Sequence, residues 1–127
     1  MAKDPVDSAL VRLKQGKGSA GRGGGPGGKY WHIYVGEERV GNVYVNVIDE
    51  PPPGEHASLQ IQINKTHQGL GIGKIAYRLA SQGSGHDIVY AHMSKKNVAS
   101  RKAAEAAGFE VIDDDRIRQL LMRWSRT

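Results

Sequence analysis

A change of periodicity in the middle of the chain constrains the fold more than any other feature. Residues 58–64, SLQIQIN, alternate strictly between apolar and polar side chains, which predicts a half-buried β-strand. Residues 72–82 then predict a helix, whose apolar face carries Ile72, Ile75, Ala76, Leu79 and Ala80. Residues 87–93, DIVYAHM, predict a buried strand. Together these segments form a βαβ unit, so we expect its two strands to be parallel neighbours.

Strand-like segments flank this unit on both sides. YWHIYV and VGNVYVNVI, separated by GEER, predict an antiparallel hairpin, and the prolines of EPPPG end its second strand. A second helix is predicted from Asn97, a good N-cap, to Gly108, and FEVI and IRQLLMRW predict a closing hairpin across DDD. The order ββ–β–α–β–α–ββ predicts an α+β fold with a mixed, mostly antiparallel sheet.

The first 29 residues differ from the rest of the chain. Residues 16–28 contain eight glycines and predict a flexible linker, because such a segment buries too little surface to offset its ordering entropy. Before it, Asp4, Pro5 and Gly16 favour a short helix over residues 5–15, and a strand through residues 9–15 is the alternative. Residues 1–29 carry +4 of the net charge of +5. We therefore divide the chain into a basic, largely flexible segment, 1–29, and a folded domain, 30–127.

Composition excludes several classes of protein. The chain has no cysteine, which excludes disulfide frameworks, thiolate metal sites and cysteine nucleophiles. The five histidines show no metal-binding spacing, so no metal is expected. No apolar run approaches the roughly 20 residues of a membrane span, and the first residues lack the apolar stretch of a signal peptide. We expect a cytoplasmic protein without a membrane partner.

Three glycines, Gly69, Gly71 and Gly73, lie between the central strand and its helix. Glycine at a helix start lets a phosphate approach backbone N–H groups. A Walker loop, G-x-x-x-x-G-K-[ST], does not fit, because Gly69 to Gly73 is one residue short and Ile75 follows Lys74. The dinucleotide pattern G-x-G-x-x-G fails too, because the glycines read G-x-G-x-G.

What remains is Gln68-x-x-Gly71-x-Gly73, which resembles the pyrophosphate-binding signature [RQ]-x-x-G-x-[GA] of the GNAT superfamily, the acyl-CoA-dependent N-acyltransferases. Downstream, Asn97-Val-Ala-Ser100 and the later Gly108-Phe109 match a second signature of that family. The resemblance covers about residues 30–127. It implies a three-layer GNAT-like fold with a central parallel βαβ unit. The usual pair of helices after the first strand has no room here, so the N-terminal helical region is abbreviated.

The resemblance also implies a cofactor site. Backbone N–H groups of the glycine turn would hold the pyrophosphate of acetyl-CoA, the strand edge would pair with the pantetheine arm, and the second helix start would contact that arm. The implied cofactor-binding residues are Ile61, Ile63, Gln68, Gly69, Gly71, Ile72, Gly73, Lys74 and Asn97. For the 3′-phosphate the candidate cations are Lys74, Arg78, Arg101 and Lys102.

Amine acetylation requires a neutral amine and a way to protonate the departing thiolate. Many relatives place a tyrosine general acid seven residues after the asparagine, where this chain has Ala104. Ser100 is the candidate to replace it. For the base, the candidates are His56 and His92, with Glu55, Gln60 and Gln62 as further polar groups on or before the central strand.

We therefore predict an N-acetyltransferase that moves an acetyl group from acetyl-CoA to a primary amine by direct attack. Two alternatives stay open. Ala104 and the missing helices favour a non-catalytic acetyl-CoA-binding module, and the basic N-terminal segment favours a nucleic-acid-associated protein. The predicted partners are acetyl-CoA, an amine acceptor that is a small molecule or a protein, and a second copy of the chain.

Overall fold

The computed structural model describes residues 5–51, 53–112 and 118–126 as one seven-stranded mixed sheet with two α-helices. The strands are β1 Val11–Gly16, β2 Lys29–Val35, β3 Glu38–Glu50, β4 Gly54–Ile63, β5 Ile88–Met93, β6 Glu110–Ile112 and β7 Leu120–Ser125. The helices are α1 Ile72–Gly83 and α2 Val98–Ala106, with 3₁₀ turns at Ser8–Leu10 and Lys65–His67. The sheet order is β1-β2-β3-β4-β5-β7-β6.

The pairing of strands confirms the predicted fold class. β4 and β5 are parallel neighbours joined through α1, and every other neighbouring pair is antiparallel. The closing hairpin forms as predicted, although its acidic turn, DDD, lies outside the described residues. β3 ends at Glu50, immediately before the prolines, but β4 begins at Gly54, four residues earlier than the alternation indicated. His56 is therefore a strand residue.

Of the two alternatives for residues 5–15, the short helix is wrong and the strand is confirmed, as β1. Asp7 caps only one 3₁₀ turn, by accepting a hydrogen bond from the N–H of Ala9, and Val11–Gly16 then pairs with β2. Pairing satisfies the backbone groups of this segment and buries Val11 against the core, which outweighs the local helix signals. The sheet thus begins ahead of the predicted boundary at residue 30. The flexibility predicted for residues 1–29 stays a prediction.

The glycine-rich segment, residues 17–28, runs from β1 to β2 without a helix. Its backbone is held to the domain at separate points. The Asn46 side chain accepts from the N–H of Gly23 at 2.7 Å and donates to the carbonyl of Gly21 at 2.8 Å. The His86 ring donates to the carbonyl of Gly27 at 2.7 Å. This segment occupies the place where the family resemblance implies a pair of helices.

Both α-helices pack against the same face of the sheet, which carries the core. Buried side chains from every long strand, among them Ile33, Val43 and Leu59, meet buried side chains of α1. The predicted α1 face is confirmed, with Leu79 only partly buried, and Tyr77 joins it. The opposite face of β1–β4 has no helix over it within the described residues. We call it the open face.

Candidate cofactor and transfer site

A cavity of about 580 Å³ lies between the end of β4, the turn that follows it, and the first turns of the two helices. It is lined by Ile61, Ile63, His67, Gln68, Gly69, Gly71, Ile72, Gly73, Lys74, Tyr77, Asn97, Ala99, Ser100, Lys102, Ala103 and Ala106. The structure therefore brings together all nine residues that the family resemblance implied for the cofactor.

Two glycines give the turn its shape. Gly69 and Gly71 adopt left-handed backbone angles, with φ of 79° and 81°, which side-chain-bearing residues adopt only with strain. Gly71 is the N-cap of α1, and it lines the cavity together with Ile72, Gly73 and Lys74. The first helical turn, whose N–H groups have no partner within the helix, therefore lies at the cavity. Such an arrangement of N–H groups and the positive helix end suits an anion.

Two further contacts fix the position of this turn. A Cβ on Gly73 would lie 3.3 Å from Cβ of Ala103 and 3.6 Å from Cδ1 of Ile63, so the glycine lets α1 approach α2 closely. The Gln68 side chain donates from Nε2 to the carbonyl of Ile63 at 3.0 Å. Gln68 thus ties the turn back to the end of β4 instead of pointing its amide at a ligand.

The two parallel strands separate beside the cavity. Pairing between β4 and β5 is limited to Ala57 with Val89 and Ser58 with Tyr90, although β4 continues to Ile63 and β5 to Met93. Beyond Ser58 the β5-facing edge of β4 has no strand partner among the described residues. The Ile63 carbonyl accepts from Gln68, and the other backbone groups of this edge are available to an extended ligand. The last part of this edge, at Ile61 and Ile63, lines the cavity.

At the start of α2, Asn97 and Ser100 meet each other. Oδ1 of Asn97 accepts from the N–H of Ser100 at 3.1 Å, which is the hydrogen bond of a helix cap. The Ser100 hydroxyl lies 2.7 Å from the Tyr77 hydroxyl of α1, and both residues line the cavity. Burial raises the pKa of the Tyr77 phenol, and the hydrogen bond to Ser100 offsets part of that rise.

Tyr77 is the site residue that sequence reasoning missed. In the sequence, a tyrosine beside the apolar face of α1 is explained equally well by core packing. Its ring does pack edge-on against that of Phe109, with the ring centroids 5.5 Å apart. Only the approach of α2 shows that its hydroxyl meets a polar partner. Ala104 is fully buried and does not line the cavity.

The two candidate bases lie together, but on the face opposite the cavity. Nε2 of His56 is 2.9 Å from Nε2 of His92, and Nδ1 of His56 donates to the carbonyl of Gly54 at 2.6 Å. A neutral His56 therefore accepts at Nε2 from His92, which leaves Nδ1 of His92 with a free lone pair. Burial lowers the pKa of His92, the neighbouring His56 lowers it further, and Glu50 partly opposes both effects.

Among the candidate cations for a 3′-phosphate, Lys74 and Lys102 line the cavity, whereas Arg78 and Arg101 do not. Arg101 instead pairs with Glu105 at 2.8 Å. The described residues include no group of three or more histidines and carboxylates placed to hold a metal ion. Neither described helix has the length and apolar character that a membrane crossing requires.

Several solved structures share this fold at low sequence identity. The aminoglycoside acetyltransferase AAC(6')-Ib, solved with paromomycin and acetyl-CoA, has a TM-score of 0.63 and 19% identity over 79% of this chain. The Microcin C7 self-immunity acetyltransferase MccE, solved with acetyl-CoA and AMP, has a TM-score of 0.59 and 19% identity over 77% of this chain. A domain from Methanocaldococcus jannaschii has a TM-score of 0.62 and 20% identity over 80%.

This chain spans 66%, 61% and 68% of the lengths of those three proteins, in that order. No match to it was found among curated proteins. The family model described as the acetyltransferase (GNAT) family matches residues 9–109, which include β1, the glycine turn and both helices. The chain therefore belongs to the GNAT acetyltransferase family.

Proposed function

We propose that this protein is an N-acetyltransferase, which binds acetyl-CoA in the cavity between α1 and α2 and transfers the acetyl group to a primary amine. The observation that carries the proposal is the left-handed glycine turn at the start of α1, opening onto a cavity where β4 and β5 separate. The structures of AAC(6')-Ib and MccE, both solved with acetyl-CoA, support this choice of donor.

The residues present fit such a donor. N–H groups from Gly69 to Lys74 hold the pyrophosphate, and the missing side chain of Gly71 leaves it room to approach. The edge of β4 near Ile61 and Ile63, apart from the Ile63 carbonyl that accepts from Gln68, accepts the pantetheine arm. Asn97 caps α2 beside that arm, and Lys74 or Lys102 neutralises the 3′-phosphate.

The proposed chemistry uses both sides of the sheet. The acceptor amine approaches from the open face and attacks the thioester carbonyl where β4 and β5 separate. His92 accepts a proton at Nδ1, because its lowered pKa keeps it neutral near pH 7. As the C–S bond breaks, the thiolate takes the Ser100 hydroxyl proton while Ser100 takes the Tyr77 proton along the 2.7 Å hydrogen bond, and solvent then reprotonates Tyr77.

One observation favours a second function, an acetyl-CoA-binding module without catalysis. Ala104 stands where many relatives carry the tyrosine general acid. Its side chain is buried, does not line the cavity and has no proton to donate. Under this alternative, acetyl-CoA binds with the same residues and no acceptor is acetylated.

Calorimetric titration with acetyl-CoA tests the proposal. Gly71→Glu places bulk and negative charge at the proposed pyrophosphate position, and Gly36→Glu is a matched control in the β2–β3 turn, also left-handed and with no atom within 4 Å of its Cβ position. We expect micromolar binding in the wild type and Gly36→Glu, and none in Gly71→Glu. Equal binding by both variants would contradict the site. Binding without thiol release across varied amines would favour the module.

A further inference from the structure

The open face carries an unusual set of side chains. Strand register places them in rows that cross β1 to β4: Gly16, Tyr30, Tyr44 and Gln60 in one row, and Lys14, His32, Asn42 and Gln62 in the next. A third, shorter row contains Arg12, Tyr34 and Arg39. These rows contain three cations and four aromatic or imidazole rings, and no carboxylate.

The aromatic rings are concentrated on this face and remain accessible. Three of the five tyrosines of the chain, Tyr30, Tyr34 and Tyr44, are only partly buried here. Tyr30 and Tyr44 stack with ring centroids 6.2 Å apart and planes 11° apart, and His32 packs edge-on against Tyr30 at 5.1 Å. A surface selected only for solubility has no need of such an aromatic cluster.

The charges beside these rings lack acidic partners. Arg12, Lys14 and Arg39 are exposed, and none of them forms an ion pair with any residue that the structure describes. Arg12 instead lies over the ring of Tyr34, with its guanidinium carbon 4.5 Å from the centroid. Partial burial lowers the pKa of His32, and the positive charges of Arg39 and Lys14 lower it further.

Partly accessible rings for stacking and cations without acidic partners beside them are the features by which proteins bind single-stranded nucleic acid without sequence preference. We infer that the open face binds a single strand of DNA or RNA, with bases on Tyr30 and Tyr44 and phosphates on Arg12, Lys14 and Arg39. This surface differs from the basic glycine-rich segment, and the inference does not depend on acetyl transfer.

Fluorescence anisotropy with labelled oligodeoxythymidine and oligouridine of about 15 nucleotides tests the inference, since single-strand sites span up to about 16 nucleotides. Three phosphate contacts predict a slope of log K against log salt of about −2, or about 20-fold weaker binding between 50 and 200 mM. Lys14→Gln reduces that slope by about 0.7. Lys95→Gln, an exposed charge outside both the open face and the cavity, leaves it unchanged.

Variants of the tyrosines distinguish binding through base stacking from binding through charge attraction alone. Tyr30→Ala and Tyr44→Ala each weaken binding about fivefold or more, whereas Tyr44→Phe, which keeps the ring, retains it. Circular dichroism identifies any variant that fails to fold, and in that case Tyr44→Phe and Lys14→Gln carry the test. Comparable affinity for oligouridine and oligodeoxythymidine supports recognition through stacking.

Four results would overturn the inference. The first is no anisotropy change up to about 100 µM protein, the weak limit of non-specific binding. The second is binding that the double variant Lys17→Gln and Arg22→Gln abolishes and the tyrosine variants leave unchanged. That result would assign nucleic-acid binding to the glycine-rich segment. The third is equal affinity for duplex DNA. The fourth is self-association that Tyr44→Ala abolishes in sedimentation, which would assign the open face to a second copy of the chain.

Discussion

Substitution of Gly71 by alanine separates two consequences of the glycine turn, its backbone strain and its proposed role in binding acetyl-CoA. A Cβ at Gly71 would have only Cε of Lys74 within 4 Å, at 3.7 Å, so the folded protein has room for it. The cost is then the left-handed conformation itself, about 1–2 kcal/mol. Gly36→Ala, at φ of 60° with open space around it, costs a similar amount and serves as the matched control.

These free energies convert to melting temperatures through the size of the domain. With an unfolding entropy of roughly 2.1 cal/mol/K per residue, 127 residues give about 0.27 kcal/mol/K. Each variant should therefore melt about 4–7 °C below the wild type. Acetyl-CoA at about 100 times its Kd adds about 2.7 kcal/mol, which raises the melting temperature of the wild type and of Gly36→Ala by about 10 °C.

Gly71→Ala should gain less from the same ligand concentration. A methyl group on the phosphate side of the turn weakens binding by about tenfold, or about 1.4 kcal/mol, so the ligand-induced rise falls to about 5 °C. Thermal unfolding followed by circular dichroism, with and without acetyl-CoA, measures both effects. A full ligand-induced rise in Gly71→Ala would refute the assignment of the turn to the pyrophosphate, and an unchanged melting temperature without ligand would refute the strain argument.

Three further predictions concern the remaining site residues. Ser100→Ala should lower single-turnover thiol release by about 100-fold and Tyr77→Phe by less, with little change in acetyl-CoA affinity; equal rates would exclude the proton-donor role. Lys102→Gln should weaken CoA more than 3′-dephospho-CoA in calorimetry, and Arg101→Gln should weaken neither. Because the pKa of His92 is lowered in the folded state, the unfolded state binds more protons near and below about pH 6.5. The free energy of unfolding should therefore decrease as the pH is lowered through this range, by at most about 1.4 kcal/mol per pH unit. Urea unfolding at about pH 7.5 and about pH 5.5 should show this loss in the wild type and less of it in His92→Gln, and an equal loss in both would contradict the assignment.

Local sequence patterns were sufficient to predict the elements that bury one side against the common core. The alternation of Leu59, Ile61 and Ile63 and the apolar face of α1 predicted their elements, because each element buries one side against the same core. The glycine turn was predictable for a different reason: its conformation is restricted to glycine whatever surrounds it. The parallel pairing of β4 and β5 followed from the length of their connection.

Features that depend on distant partners could not be decided from local patterns. Residues 11–16 form a strand because β2, which begins 13 residues later, supplies hydrogen bonds that local signals do not contain. The pairing of Tyr77 with Ser100 depends on how closely α2 approaches α1, which Gly73 and Ala103 set. The His56–His92 contact likewise requires residues 36 positions apart to meet across two strands.

The place of β1 at the edge of the sheet bears on how the protein can be shortened. A protein beginning at residue 30 would lose β1 and leave β2 as a new edge strand, with the unpaired backbone of Tyr30–Val35 open to pairing with other chains. β1 also carries two exposed charges, Arg12 and Lys14, which discourage edge-to-edge association. Removal of β1 should therefore expose an aggregation-prone edge, so β1 protects the sheet against self-assembly.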